Sequence, residues 1–298
     1  MWLTLAVGNM LTLAALRLVQ KVYLDRSNLN SFRLSWLMTA FGLPVFIAIA
    51  VANYQEISQL SVSFWIVSAV VVIGFYPTVN YLYFNTVRKN NLSDVLPLLS
   101  LVPVATLIAG WFLLGQHPTL LGTAGVLLVS IAIYMLQFNP RMHWLDPFKN
   151  LVKTDAARAM LIISIITALA AIGDKFAIDR SSTAIYLALN SIGALIVLII
   201  CDLFLNRKNI HNIKSEARNA SKFSVYTMLF MGALMLATQF LGFAALSLAP
   251  VSGYAVGIRN LNLIVASVAA LIVLHEPITK NKLASYGISV IGLIMIAL

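Results

Sequence analysis

Arg259 stands inside the apolar run GYAVGIRNLNLIVASVAALIVLHEP, residues 253–277. If a membrane span begins near residue 251, Arg259 lies about eight residues along it, roughly 12 Å deep in a hydrocarbon core of ~30 Å. A charge at that depth costs at least ~2.5 kcal/mol on insertion scales, so it should face protein or a water-filled cavity. Its planar fork suits a carboxylate or phosphate on a substrate. Equally, it would staple helices through an internal ion pair. No carboxylate sits one turn away, where Ala255, Val256, Asn262 and Leu263 fall, so such a partner would be Asp94 or Asp174 from another segment.

Other polar residues in apolar runs extend the set. Asn262 falls near the Arg259 face, Asn260 beside it, and Tyr254 five residues earlier. Gly253 and Gly257 would permit bending or close helix packing. The stretch FYPTVNYLYFN, residues 75–85, sets Tyr76, Asn80 and Tyr83 on one helical face beside an interrupting Pro77. These residues would line a cavity, or the tyrosines would form part of an interfacial belt. Asn9 and Gln239 are weaker members of the set, because one amide can simply bond across helices. Asp174 and Lys175, in AIGDKFAIDR, read either as an interfacial charge pair or as functional groups. Asp174 is then the better carboxylate for coupling transport to protons. Glu276 is expected to cap the helix after it.

These residues require a bilayer-spanning scaffold. Of 298 residues, 60% are hydrophobic and 10% charged, and the mean hydropathy of +0.91 lies far from that of soluble domains. Apolar runs long enough to cross a bilayer recur at approximately 1–20, 31–52, 62–86, 92–115, 118–138, 158–178, 182–205, 222–247, 251–274 and 280–298. The expected fold is therefore all-α and integral to the membrane, with ten transmembrane helices. Met1 and Trp2 lead straight into apolar sequence with no basic stretch before it, so no cleavable signal peptide is expected.

Charge placement divides the chain. Residues 139–157 form a polar linker between two apolar halves, 1–138 and 158–298, of five spans each. A shift of 160 positions lays Gln116 on Glu276, Leu114 on Leu274 and Thr119 on Thr279, with sparse identity elsewhere. In the first half Lys21, Arg26, Arg33, Arg88 and Lys89 follow the odd-numbered spans. In the second half Arg207, Lys208, Lys214, Arg218, Lys222, Lys280 and Lys282 follow the even-numbered ones. Loops equivalent by repeat thus carry opposite bias, as expected for two inverted five-helix repeats. By the positive-inside rule both termini lie outside, and Arg141, Lys149, Lys153 and Arg158 in and beside the linker agree with that orientation.

The segments LLGQHPTLLGTAGVLLVSIAIYML and IVLHEPITKNKLASYGISVIGLIMIAL resemble the turn and final helix that close each half of EamA-type members of the drug/metabolite transporter superfamily. Glu276, Pro277, Thr279 and Gly292 match that pattern, whereas Gln116 and His117 depart from it in the first half. The resemblance implies a ten-helix secondary transporter with a central cavity between the halves, moving metabolites such as amino acids, organic anions or nucleotide sugars. It also implies cytoplasmic termini, against the charge count. Lys175 matches a lysine frequent at that helix end in the family, where it would supply a second cation. The acidic residue that small multidrug members carry in their first helix is missing from MWLTLAVGNMLTLAALRLVQ.

The functional expectation is a multi-pass transporter of the cytoplasmic (inner) membrane, carrying a small anionic or zwitterionic molecule such as an amino acid by alternating access. Its site would comprise Arg259, Asn262, Tyr254, Asn80, Tyr76, Lys175, Gln239 and Asn9, with Asp174 for coupling. The partners expected are a small-molecule substrate and the lipid bilayer, with no nucleic acid and no cofactor or metal. A channel or a non-transporting scaffold is the alternative. A membrane enzyme is disfavoured, since His117, His143, His211 and His275 lie far apart without a metal-binding pattern, and Cys201 is the single cysteine.

Overall fold

The structure, a computed structural model, describes residues 1–26, 31–89, 96–137, 154–205, 222–273 and 280–298. Among these residues it is helical throughout and contains no strand. Five helical segments are long and apolar enough to cross a membrane, or six if a bent pair is counted as one. The protein is a multi-pass membrane protein. Its apolar residues point outward as well as inward, as a lipid-facing surface requires: Phe112 and Phe204 are exposed while Phe46 and Phe64 are buried.

The first half begins with α1 (Trp2–Arg26) and continues with α2 (Ser31–Phe41), α3 (Leu43–Ala52) and the short α4 (Tyr54–Ser58). The apolar run 31–52, expected as one span, is bent, and α2 and α3 meet at an angle of 50°. Gly42 and Pro44 account for that bend, because proline removes a backbone donor and glycine leaves room for a neighbouring side chain. A Cβ at Gly42 would lie 2.6 Å from the Phe46 ring. Next, α5 (Val62–Ala69), started by a Ser61 side-chain cap, runs through a π-helical turn at Val70–Phe75 into α6 (Tyr76–Lys89). The expected interruption at Pro77 is thus absorbed: the wider turn just before it accommodates the bond that proline cannot donate.

A 3-10 turn at Leu96–Leu101 leads into α7 (Val102–Leu114). Gly115, in the left-handed region at φ 63°, ends α7, and Gln116 N–H returns to the Gly110 carbonyl at 3.2 Å. That pattern ties off carbonyls a helix end leaves open. Then α8 (Leu120–Gln137) closes the half.

The second half comprises α9 (Asp155–Ile178), α10 (Thr183–Leu205), α11 (Lys222–Leu248), α12 (Ser252–Asn260), α13 (Asn262–Val273) and α14 (Lys280–Ala297). Packing across the halves pairs α1 with α11, α6 with α9, α2 and α3 with α10, α7 with α12, and α8 with α14. The last pair crosses at two glycines. A Cβ on Gly125 would lie 2.8 Å from the Gly292 carbonyl, and one on Gly292 3.0 Å from that of Gly125. Small residues at a helix crossing let the backbones approach this closely. Most of the linker, along with Asp94 and Glu276, lies outside the described residues.

Candidate functional site

Asp174 is a carboxylate on α9 that is only 5% exposed, inside an apolar helix. An ionised group so enclosed needs hydrogen-bond donors. Two tyrosines supply them. Tyr186, from α10, donates its hydroxyl to Oδ1 at 2.5 Å, and Tyr76, from the start of α6, donates at 3.1 and 3.2 Å to the two carboxylate oxygens.

The surrounding sequence explains why these groups meet. Gly173 stands directly before the aspartate, and a Cβ there would lie 2.6 Å from Val71 in the π turn. The glycine therefore lets α9 close on the segment that ends at Tyr76. Tyr186 is fully buried, with Phe64 and Phe243 packed edge-on at 6.3 and 5.2 Å between ring centroids. Asn190, one turn along α10, is also buried and near enough to act on the Tyr76 hydroxyl, while its own Oδ1 has no partner among the described residues.

Arg259 comes to this place from the other side. It occupies the last turn of α12, next to the break at Leu261 that separates α12 from α13. The break exposes backbone groups that must be satisfied within the protein. Asn262 does this, donating Nδ2 to the Arg259 carbonyl at 2.6 Å. The Arg259 side chain is partly exposed and has no hydrogen bond or ion pair among the described residues. Asp174 and Tyr76 are near enough to act on it electrostatically, as is Arg17 with like charge.

The result is a cavity of about 130 Å³ whose polar wall is Tyr76, Asn80, Thr167, Asp174 and Arg259. Val79, Ala170 and Ala171 form its apolar wall, and the two alanines leave the space a larger side chain would fill. The wall thus carries both a guanidinium and a carboxylate that form no ion pair with each other. Such a wall can hold a molecule bearing both signs of charge, each across from its opposite.

The remaining sequence-derived residues stand elsewhere. Lys175 pairs with Asp179 at 2.9 Å and donates to the Ser247 carbonyl at 2.7 Å, so its charge serves to tie α9 to α11. The Tyr254 hydroxyl accepts the Thr119 backbone N–H at 2.9 Å, fixing the start of α8 to α12. Gly122 leaves room for that phenol ring. Asn9 donates to the Thr238 carbonyl at 2.6 Å, and Gln239 accepts from Ser191 at 3.4 Å. None of these four lines the Asp174 cavity.

Gln116 also acquires a position. Its Oε1 accepts the Ser252 backbone N–H and its Nε2 donates to Ser252 Oγ, both at 2.9 Å. A residue in the loop of one half therefore caps α12 in the other. Sequence reasoning passes over Tyr186 and Asn190, although their spacing of four in TAIYLALNSIG puts them on one face of an apolar helix. That spacing is the available signal.

Comparison with known proteins agrees with this architecture. The model of the EamA-like transporter family matches residues 1–138 and 155–298. A solved crystal structure, described only as that of a protein, superposes with a TM-score of 0.69 at 14% identity, covering 99% of this chain and 95% of its own. At that identity the likeness concerns the fold. No curated protein matches the sequence.

Proposed function

The chain belongs to the EamA-like transporter family, and on that premise we propose that it is a ten-span secondary transporter that moves a small zwitterionic or anionic metabolite by alternating access. The observation that carries the substrate class is the cavity itself, where Arg259 and Asp174 face one space without pairing. In a span, two opposite charges left apart are costly unless a ligand or water completes them. An amino-acid-like head group would do so, with its carboxylate at Arg259 and its ammonium at Asp174.

We read the ten spans as two inverted repeats, 1–138 and 158–298 joined by the linker 139–157. The packing supports this reading. Exchanging the halves turns the contact of α1 with α11 into that of α9 with α6, that of α7 with α9 into that of α12 and α13 with α1, and that of α2 with α11 into that of α10 with the π turn and α6. The contacts of α2 and α3 with α10, α7 with α12, and α8 with α14 map onto themselves. A twofold relation of this kind suits two halves that rock about a central site. Asp174 is the carboxylate placed to couple movement to protons. The protein's membrane, on this reading, is the cytoplasmic membrane of the cell.

Counterflow in proteoliposomes tests the reading. Vesicles preloaded with an unlabelled neutral amino acid should accumulate the labelled form transiently, and Arg259→Ala should abolish this. Equal, non-saturating flux of unrelated solutes would instead indicate a channel.

A further inference from the structure

We propose that α2 is a hinged arm, latched to α10 by Arg33, Asp202 and Trp36, and that release of this latch opens the cavity toward the face bearing the basic loops. The charges of the latch have no place in the substrate site. Arg33 Nε lies 3.4 Å from Asp202 Oδ2, with side chains only 6% and 7% exposed. Trp36, one turn further along α2, donates its indole N–H to the same oxygen at 3.1 Å. Arg33 belongs to the first half and Asp202 to the second, so this contact ties the halves together.

The arm carrying the latch is built to swing. Its far end is the 50° bend at Gly42, beside Pro44, where a glycine and a proline weaken the helical ladder. Beyond the bend, α3 holds α10 by a different kind of contact. Phe46 is buried with Leu187 and Ala188, an apolar cluster with no charge to break. One pair of helices is thus joined by an apolar anchor above the hinge and by an ion pair below it.

The two contacts differ in how they can be undone. Apolar packing in a membrane is non-directional and tolerates small sliding, whereas a buried ion pair is made or lost as a unit. Phe41, at the end of the arm next to the hinge, packs over Gly232 of α11, where a Cβ would lie 2.5 Å from the ring. The glycine gives the arm a seat in the latched state. Motion of the arm therefore breaks the buried ion pair, slides Leu34 and Met38 within their apolar cluster with Leu16 and Met231, and leaves the Phe46 anchor in place.

Thiol labelling tests the latch without requiring transport. In a Cys201→Ser background, Thr167→Cys places a single thiol in the cavity wall, and a membrane-impermeant maleimide is applied to vesicles of each orientation. Asp202→Asn should speed labelling from the basic-loop face at least tenfold, with little change from the opposite face, while Arg33→Lys stays near the parent rate. Should Asp202→Asn fail to fold, Trp36→Phe, which keeps the bulk and removes only the indole donor, carries the same test with a smaller increase expected. Unchanged labelling from the basic-loop face, or an equal increase from both faces, overturns the proposal. Faster labelling in a protein that moves no solute would sink the transporter reading and leave the latch standing.

Discussion

Asp174 and Arg259 line one cavity from α9 and α12, and no ion pair joins them. Their separation leaves both charges on the wall of the cavity. A direct salt bridge would have satisfied both charges and left a helix staple. With the charges apart, each can be completed by a ligand group of opposite sign.

This arrangement predicts that Asp174→Asn separates zwitterions from simple anions. Removing the negative charge should weaken binding of a neutral amino acid about tenfold or more, since a charged hydrogen bond contributes ~1.5–3 kcal/mol. A monocarboxylate lacking the ammonium should bind as well as before or better. Isothermal titration of the purified variants with both ligands reads the difference, and parallel losses for both would argue against a charge-specific role.

The two phenols on Asp174 are expected to be structural supports of the site. Tyr186→Phe removes the donor held at 2.5 Å and leaves a buried carboxylate short of one bond. Thermal unfolding in detergent should show a loss of about 1–3 kcal/mol. Tyr76→Phe should cost less, because its hydroxyl is shared between longer bonds of 3.1 and 3.2 Å.

At the N-terminus of α12, Gln116 stands where the resembling pattern has glutamate. Gln116→Ala should destabilise by about 0.5–2 kcal/mol, the range for loss of a helix cap. Gln116→Glu should be neutral or add about 0.3–1 kcal/mol, because a carboxylate favours the positive end of the helix dipole. Comparing the melting of the two variants checks the sign.

The α8–α14 crossing offers a fourth test. Gly125→Ala introduces a Cβ 2.8 Å from the Gly292 carbonyl, and backbone cannot turn aside as a side chain would. A loss of about 1–3 kcal/mol is expected from such overpacking. Gly287→Ala on α14, where no atom lies within 4 Å of the added Cβ, should be tolerated in the same melting assay.

The sequence made the helices legible because apolar runs mark them, although among the described residues only five or six segments reach the length and apolarity a bilayer demands. It made Arg259 and Asp174 legible because charge inside such a run has few innocent explanations. Other features escaped for physical reasons. Lys175 neighbours Asp174 in sequence, but adjacent residues point about 100° apart on a helix, and the lysine found Asp179 and the Ser247 carbonyl instead. Asn262 and Tyr254 read as cavity groups because they share a segment with Arg259. In the structure their polar atoms answer backbone groups freed by a helix break and a helix start. Tyr186 looks like any aromatic near a helix end, and only the fold brings its hydroxyl to the aspartate. Gly42 and Pro44 are visible as letters, yet their spacing does not reveal that the span bends between them.

The most direct measurement is ligand-induced stabilisation of the purified protein by amino acids, carboxylates, phosphorylated sugars and organic cations, repeated with Arg259→Ala. A ligand at a hundred times its Kd adds about 2.7 kcal/mol to stability. Zwitterionic or anionic ligands should stabilise the parent and leave the folded variant unmoved. Equal stabilisation of both forms by those ligands, or stabilisation by organic cations alone, would contradict a substrate anchor at Arg259.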